Sequence, residues 1–424
     1  MNTIKERAAA IAAAAQKLNS AVYNASNDHG KITEARTVAQ QHSPKLVSLE
    51  EAIKQSGLKD GMTISFHHHF RGGDKVVNLV VGKLAEMGFK NLHLAASSLL
   101  DTHEPLIEHI KNGVITQIST SGLRGELARQ ISLGLMENPV VFRSHGGRGA
   151  AIAKGELHID VAFLGASSSD PLGNACGYSR SENAQSICGS LGYALPDAEY
   201  ADKVVILTDD LVNYPNTPAS ISERYVDYVV QVDSVGDSSK IASGAIRDTK
   251  NPRDILLAKQ AAKVIEHSGY LTPGFSIQTG SGGASLAVVK YLRNAMVEQN
   301  IKASFALGGI TAHMVKLHEE GLIERLIDVQ SFDKVAAESL KNDAMHQEVS
   351  ACEYASPDEP GSAVHYLDIV ILSALEADVN FNVNVLVGSD GIIRGAIGGH
   401  PDTAADSALS IIVCPLLRGR IPCI

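Results

Sequence analysis

The sequence predicts two tandem α/β domains of similar topology, each a mainly parallel sheet with helices on both faces. Short apolar runs alternate with helix-like segments, which is typical of parallel strands buried on both sides. This alternation runs through residues 46–211 and starts again near residue 253. Part of the sequence also recurs 208 residues later, from Asp160 to Asp368, so the second domain is expected to copy the first.

In the first domain, strands are predicted over 63–66, 92–95, 114–118, 140–142, 161–164 and 204–207, with helices over 75–87, 104–112 and 123–135. A further strand and turn are expected within 226–237. In the second domain, the predicted strands are 275–277, 303–307, 369–372 and 383–387, and the predicted helices are 253–267, 284–297 and 313–320. Parallel strands place a site at their carboxyl ends, here between the domains.

These patterns predict a helical and polar N-terminal extension (residues 1–45), a first domain (46–242) and a second domain (243–424). The sequence ends soon after the second copy, which is therefore expected to lack a closing strand and helix and to be cut short at its C-terminus.

The repeat contains one substitution that introduces an acid. The segment from Asp160 to Asp170 matches the segment from Asp368 to Asp378, and in this register Ser168 lies opposite Glu376. The same backbone position evidently needs no acid in order to fold. Glu376 is therefore a candidate nucleophile or base, although a solvated strand-end glutamate is the simpler alternative.

Composition narrows the class of protein. The chain has 424 residues, 44% of them hydrophobic, and a formal net charge of −10, which disfavours nucleic-acid binding. No apolar run is long enough to span a membrane and the N-terminus has no signal-peptide core, so a cytoplasmic protein is expected. The five cysteines are scattered and are expected to be reduced structural thiols.

A glycine-rich loop follows the predicted strand 275–277. It runs from Gln278 and Thr279 to Gly282 and Gly283, just before a predicted helix. No acidic residue follows at the spacing of a dinucleotide site, and no Lys-Ser/Thr pair completes a P-loop. The loop instead predicts a cradle for an oxyanion or phosphate, in which the N–H groups of Gly282 and Gly283 are the candidate donors.

Three arginines lie in glycine-containing loops and are candidates for binding a polycarboxylate: Arg71, Arg124 and Arg148. Their guanidinium groups suit bidentate contacts with carboxylates. His67 and His69 share one side of a three-histidine run and are expected to hydrogen-bond a polar substrate. No third ligand supports a metal site, so none is predicted.

Two further glycine pairs predict a cleft lined by backbone in the second domain. Gly308 and Gly309 follow one strand, and Gly399 and His400 belong to a second loop of the same kind. Together with the loop that begins at Gln278, they are expected to meet at one edge of the sheet.

Several long motifs resemble the citrate lyase α subunit family of the coenzyme A transferases. They comprise the histidine run with Arg71-Gly-Gly-Asp74, and the segments 120–125, 144–148, 278–288, 306–311, 328–333 and 373–376. The resemblance extends from about residue 46 to the C-terminus and implies tandem coenzyme A transferase-like domains.

The resemblance implies a citrate:acyl-carrier-protein transferase. Citrate would replace acetyl on the prosthetic thiol of an acyl-carrier (gamma) subunit, with release of acetate, and a lyase (beta) subunit would then cleave the citryl group. The carrier thioester, or acetyl-CoA, would be a co-substrate, and no cofactor bound covalently to this chain is implied. A homo-oligomer within a multi-subunit complex is expected, without nucleic acid or membrane.

The resemblance leaves the role of Glu376 open. Glu376 matches the glutamate that forms an enzyme thioester in related coenzyme A transferases, whereas citrate itself is thought to attack in the citrate lyase branch. The alternatives are a coenzyme A transferase for small carboxylic acids that uses a glutamyl thioester, and a non-catalytic scaffold of a lyase complex.

Overall fold

The computed structural model describes residues 45–182, 184–242, 249–280, 282–418 and 421–423. The predicted N-terminal extension lies outside this range except for Lys45, and so does the segment that begins at the predicted boundary, residue 243. Within the described residues, the two predicted α/β domains are confirmed, each with a parallel sheet and helices.

The strands of the first domain are β1 (Thr63–Phe66), β2 (Leu92–Ala96), β3 (Ile115–Thr120), β4 (Val141–Phe142), β5 (Val161–Ala166), β6 (Ser168–Ser169), β7 (Ala175–Cys176), β8 (Lys203–Thr208) and β9 (Tyr228–Gln231). Its helices are α1 (Leu49–Gln55), α2 (Val76–Glu86), α3 (Leu106–Lys111), α4 (Gly125–Ser132), α5 (His145–Ala153) and α6 (Leu195–Tyr200). Seven strands form a parallel sheet in the order β4-β3-β2-β1-β5-β8-β9.

The strands of the second domain are β10 (Ser276–Thr279), β11 (Ala303–Ile310), β12 (Ile323–Ser331), β13 (His346–Glu348), β14 (Ile369–Ser373), β15 (Glu376–Ala377), β16 (Val383–Asn384), β17 (Leu409–Val413), β18 (Leu417–Arg418) and β19 (Ile421–Pro422). Its helices are α7 (Pro252–His267), α8 (Gly283–Glu298), α9 (Ala312–Glu319), α10 (Lys334–Asn342), α11 (Ala351–Ala355) and α12 (His400–Asp406). Six strands form a parallel sheet in the order β13-β12-β11-β10-β14-β17.

The repeat in the sequence is also a repeat in structure. Asp160 accepts a 2.7 Å hydrogen bond from the backbone N–H of Thr63, and Asp368 accepts one of 2.8 Å from Ser276. Each aspartate therefore joins a central strand to its neighbour in the same way. All six residues of β5 are buried, as expected for a strand covered on both faces.

Two expectations for the second sheet are wrong in detail. Residues 383–387 form no strand of the main sheet, because Val383 and Asn384 pair with β15 in a short antiparallel hairpin. The place that β8 occupies beside β5 is taken by β17, which pairs with β14. A closing strand is therefore present in the second copy, and it was missed because Ser410 interrupts its apolar pattern.

Candidate active site

A cavity lies between the domains, where the carboxyl ends of β1 and β3 face those of β10 and β12. It is partly open to solvent, and residues of both domains line it. Hydrogen bonds hold the two walls together. Among them, Gln330 donates from Nε2 to the carbonyl of His68 at 2.8 Å. The cavity is therefore shaped jointly by both copies.

Arg71 contributes a buried positive charge to this cavity. Its residue is only 7% exposed, and its guanidinium carbon lies 4.5 Å from the centre of the Phe332 ring. Burial, together with the charge of Arg124, lowers the pKa of Arg71 to about 10, so the group remains charged at neutral pH. Among the described residues, no carboxylate forms an ion pair with Arg71, and its Nε has no hydrogen-bond partner.

Of the other two predicted arginines, only one lines the cavity. Arg124 lines the cavity from the loop before α4. Arg148 does not line it, because its guanidinium donates two 2.7 Å hydrogen bonds to Asp197 and both side chains are buried. The expectation that Arg148 contacts the substrate therefore needs correction. Its charge is already neutralised within the first domain.

The histidine run also departs from expectation. His67 and His69 do share one side, with ring centroids 4.0 Å apart, but neither lines the cavity, which receives His68 instead. The strand ends at Phe66, so simple alternation from β1 does not predict which ring faces the site. His68 is fixed by its Nδ1, which lies 2.6 Å from Oγ of Ser97.

A stack of aromatic rings forms one wall. His145 lies 4.2 Å from the ring centre of Tyr193, and His68 lies 5.2 Å from the same ring. Burial lowers the pKa of His145 to about 3 and holds the pKa of His68 well below its usual value. These imidazoles are therefore neutral at pH 7 and can donate hydrogen bonds to an anion without adding charge.

The predicted glycine-rich loop lies on the second-domain side. Gln278, Thr279 and Gly280 line the cavity. Gly282 is the N-cap of α8, and Gly283 is its first residue, so their N–H groups lie in the first turn of the helix rather than on the cavity wall. A β carbon on Gly282 would lie 2.6 Å from Oγ of Ser373, which shows how closely this loop packs on the end of β14.

The two other predicted glycine pairs also contribute. Gly309 lines the cavity, whereas Gly308, at φ +93°, lies behind Gln278 and leaves room for its amide. Gly399 and His400 line the opposite part of the wall. A β carbon on Gly399 would lie 2.4 Å from the hydroxyl of Tyr354, so a side chain at Gly399 would displace a cavity residue.

Glu376 is placed outside the lining of the cavity. Its Oε1 accepts hydrogen bonds from the N–H of Ser389 at 3.0 Å and from the Ser389 hydroxyl, while Oε2 accepts one from Asn384 at 3.3 Å. These contacts fix the loop that leads from β16 back towards the cavity. The structure therefore gives Glu376 an evident positioning task in that loop.

Sequence reasoning missed several residues of the lining, among them His68, His145, Tyr193, Gln330 and Tyr354. His145 lies in the same loop as Arg148 and precedes two glycines. This pattern could have marked His145 as a candidate site residue. Tyr193, Gln330 and Tyr354 are brought in from distant segments by the contact between the domains, and no local pattern marks them.

In the part of the chain that the structure describes, no helix combines the length and apolarity needed to cross a membrane.

The family model for "Citrate lyase, alpha subunit (CitF)" matches residues 43–424. The citrate lyase alpha chain of Haemophilus influenzae is 63% identical over 375 residues, covering 88% of this chain and 74% of its own length. That of Klebsiella pneumoniae is 62% identical over 377 residues, covering 89% and 73%.

Comparison with solved structures indicates the same family as the sequence comparisons. The alpha subunit of citrate lyase from Streptococcus mutans, in complex with citrate, is similar with a TM-score of 0.87 and 57% identity, covering 91% of this chain and 75% of its own. A malonate decarboxylase hetero-tetramer from Pseudomonas shares the fold, with a TM-score of 0.65 and 16% identity over 85% of this chain and 65% of its own. The chain thus belongs to the citrate lyase alpha subunit family.

Proposed function

We propose that this chain exchanges the acetyl group on an acyl-carrier thioester for citrate, as the alpha subunit of citrate lyase. The observation that carries the proposal is Arg71, a buried cation in the cavity that has no carboxylate partner among the described residues. Burying an unpaired charge is costly, so a bound anion is its natural partner. The related Streptococcus mutans subunit was solved with citrate, which supports citrate as that anion.

The chemistry needs no external energy source, because one thioester replaces another. A citrate carboxylate attacks the acetyl carbonyl, and the carrier thiolate leaves, which gives an acetic-citric anhydride. The thiolate then attacks the citryl carbonyl of the anhydride and expels acetate. Both steps pass through tetrahedral oxyanions, which hydrogen-bond donors held in a water-poor site stabilise.

The described residues can serve this sequence of steps. Arg71 and Arg124 are the proposed partners of the citrate carboxylates that do not react. The neutral rings of His68 and His145 offer hydrogen bonds. The start of α8 follows the lining residue Gly280 by three residues, and the dipole of this helix favours developing negative charge there.

The contacts of Glu376 favour attack by citrate over a glutamyl thioester. A carboxylate that accepts hydrogen bonds from Ser389 and Asn384 is stabilised as an anion and is less nucleophilic. It also lies outside the cavity lining in this conformation. A route through Glu376 would require the loop from Asn384 to Ser389 to release it.

The finer assignments are also proposed. The acyl donor is the thioester of a carrier subunit or acetyl-CoA, and a lyase subunit then consumes the citryl thioester. We further propose that the chain forms a homo-oligomer within that complex, and that the complex is cytoplasmic.

Acyl exchange tests the function directly. Purified chain is mixed with citrate and acetyl-CoA or acetyl carrier, and citryl thioester and acetate are quantified by mass spectrometry. We expect both products in equal amounts and only when citrate is present. A folded chain that forms neither product would contradict the proposal.

An arginine comparison tests the site. Arg71→Met should abolish citrate binding measured by calorimetry, whereas Arg129→Met should not. Arg129 is the matched control because its side chain is 52% exposed and pairs with Glu126 on the surface of α4.

A further inference from the structure

The start of helix α5 is completed by groups from the other domain. The N–H of His145 donates to the carbonyl of Gly398 at 2.9 Å, and the N–H of Gly146 donates to Oδ2 of Asp402 at 2.9 Å. The third N–H, of Gly147, donates to the hydroxyl oxygen of Ser144 at 3.0 Å. The first N–H groups of a helix have no acceptor within the helix, so these partners determine where α5 begins.

Asp402 is the centre of this arrangement. Besides Gly146, it accepts a 2.5 Å hydrogen bond at Oδ1 from the hydroxyl of Ser144, the N-cap of α5. Its carboxyl group therefore contacts both the cap and the first turn. Burial raises the pKa of Asp402 to about 6, and the hydrogen bonds from Ser144 and Gly146 act against that rise. All of these contacts cross from the second domain to the first.

The internal repeat supplies independent support. Asp402 follows Pro401 in the first turn of α12, and Asp197 follows Pro196 in the first turn of α6. Each helix precedes the strand that lies beside the repeated central strand, β17 or β8. Both aspartates bind α5. Asp197 holds Arg148 from within the first domain, whereas Asp402 holds the start of the same helix from the second.

The contacts of Asp402 and Gly398 with the start of α5 hold one wall of the cavity in place. His145 is the first residue of α5, and His400 is the first residue of α12, the helix that carries Asp402. Both line the cavity, and the carbonyl of Gly398 ties them through the backbone. Nδ1 of His145 is buried without a partner among the described residues. A shift of the α5 terminus would therefore move a hydrogen-bonding group of the site.

We infer that Asp402 is a positioning residue for the reaction: by bonding Ser144 and Gly146 across the domain interface, it holds His145 and His400 in place on the cavity wall. Asp402 is not a catalytic residue in this account, because it does not itself line the cavity. The inference rests on the proposed function.

The test compares Asp402→Ala with a matched control on the same helix, Asp406→Ala. Asp406 pairs with His365 at 3.1 Å within the second domain and makes none of the contacts that cross to α5. We expect Asp402→Ala to raise KM for citrate about 10-fold or more, because the hydrogen bonds that hold His145 and His400 on the cavity wall are lost. Asp406→Ala should leave KM within about 2-fold of the wild-type value.

Two further variants separate positioning from general destabilisation. Asp402→Asn can accept from Gly146 and donate to Ser144, so it should recover most of the wild-type KM. Ser144→Ala and Asp402→Ala should be non-additive, because both remove the same contact. An Asp402→Ala chain that is folded and has wild-type KM and kcat would overturn the inference. Equal impairment by Asp402→Ala, Asp402→Asn and Asp406→Ala would do so as well.

Hydrogen exchange provides a measurement that needs no substrate. In Asp402→Ala, peptides covering residues 144–148 should exchange faster than in wild type, and in Asp406→Ala they should not. Unchanged protection in Asp402→Ala would refute the inference even if the wild-type chain had no transferase activity. Loss of acyl exchange in the wild type would count against the proposed function alone.

Discussion

The two domains make the same backbone contact twice, and only one of the two lies in the cavity. The N–H of His145 donates to Gly398, and, 206 residues further along the chain, the N–H of Ala351 donates to Gly192, both at 2.9 Å. Each donor follows a serine N-cap. The first contact brings a histidine to the cavity, whereas the second places an alanine in an apolar cluster.

The side chains at equivalent positions have taken different tasks. Arg148 on α5 corresponds to Tyr354 on α11, again 206 residues apart. Arg148 is neutralised by Asp197, whereas Tyr354 accepts a 2.8 Å hydrogen bond from Gln278 and lines the cavity. The repeat therefore determines the architecture, and substitutions at a few equivalent positions determine which side of the interface holds the site.

The largest expected effect distinguishes the two buried arginines of the first domain. Arg148→Met should lower the free energy of unfolding by about 3–5 kcal/mol, because it leaves the carboxylate of Asp197 buried and unpaired. Urea denaturation measures this. The double variant Arg148→Met/Asp197→Leu should recover most of the loss. An unchanged midpoint for Arg148→Met would contradict a structural role for this pair.

Arg71→Met should show the opposite behaviour. The free energy of unfolding should not fall, because a buried charge without a carboxylate partner is removed, while kcat/KM for citrate should fall by about 10²–10³-fold, through loss of a charged substrate contact. Enzyme kinetics and urea denaturation on the same preparation measure both quantities. Loss of stability with retained activity would reverse the assigned roles of the two arginines.

Acid should destabilise the folded chain through the buried histidines of the first domain. Burial lowers the pKa of His67 to about 4 and of His145 to about 3, below the unfolded value of about 6.5. Stability is then full above pH 6.5 and falls as pH decreases towards the folded values, because the unfolded chain binds protons first. Below the unfolded pKa, each such histidine lowers the free energy of unfolding by about 1.4 kcal/mol per pH unit.

The variant His145→Asn tests this prediction. It should lower the number of protons taken up on unfolding between pH 6 and pH 5 by up to about one. Urea denaturation at several pH values measures the slope. A slope identical to that of the wild type would mean that His145 binds its proton over the same pH range in the folded and unfolded chains, which would contradict the lowered pKa.

The repeated hairpins differ at Ser168 and Glu376, and a smaller effect is expected there. Glu376→Gln should lower kcat by less than about 10-fold, since an amide can still bond Ser389, whereas loss of a nucleophile would cost far more. Ser168→Ala is the matched variant in the first copy. A loss above about 10³-fold, together with loss of a hydroxylamine-trappable adduct, would establish Glu376 as the acyl acceptor.

The smallest effect is expected at the tip of the second hairpin. Phe381 is 90% exposed, so Phe381→Ser should change the free energy of unfolding by no more than about 0.5 kcal/mol. Val226 is buried against Gly173 at the corresponding hairpin of the first copy, and Val226→Ala should cost about 2 kcal/mol. Thermal or urea denaturation compares them, and equal effects would show that the two hairpins are packed alike.

Local patterns were enough to predict most of the fold. Apolar runs bounded by helices gave the strands around Ile64 and Ile277 because both faces of those strands are covered. The pattern failed at β17, an edge strand in which Ser410 interrupts the apolar run. It also failed at 383–387, where only Val383 and Asn384 are paired, in a short hairpin outside the main sheet.

The site was predictable only in part. Arg71, Arg124 and the glycine loops are local features at strand ends, and they do reach the cavity. Arg148 has the same local features, but Asp197, 49 residues away, neutralises it. Tyr193 and Tyr354 enter the cavity through contacts between the domains. Such pairings depend on tertiary structure and leave no mark on a single segment.

One measurement tests the central claim that citrate in the cavity is itself the acyl acceptor. Citrate labelled with ¹⁸O in its carboxylates is reacted with acetyl carrier for a single turnover, and the released acetate is analysed by mass spectrometry. Direct attack transfers one citrate oxygen through the anhydride, so acetate carrying one ¹⁸O is expected. Unlabelled acetate in the first turnover, with ¹⁸O recovered on Glu376, would contradict the account.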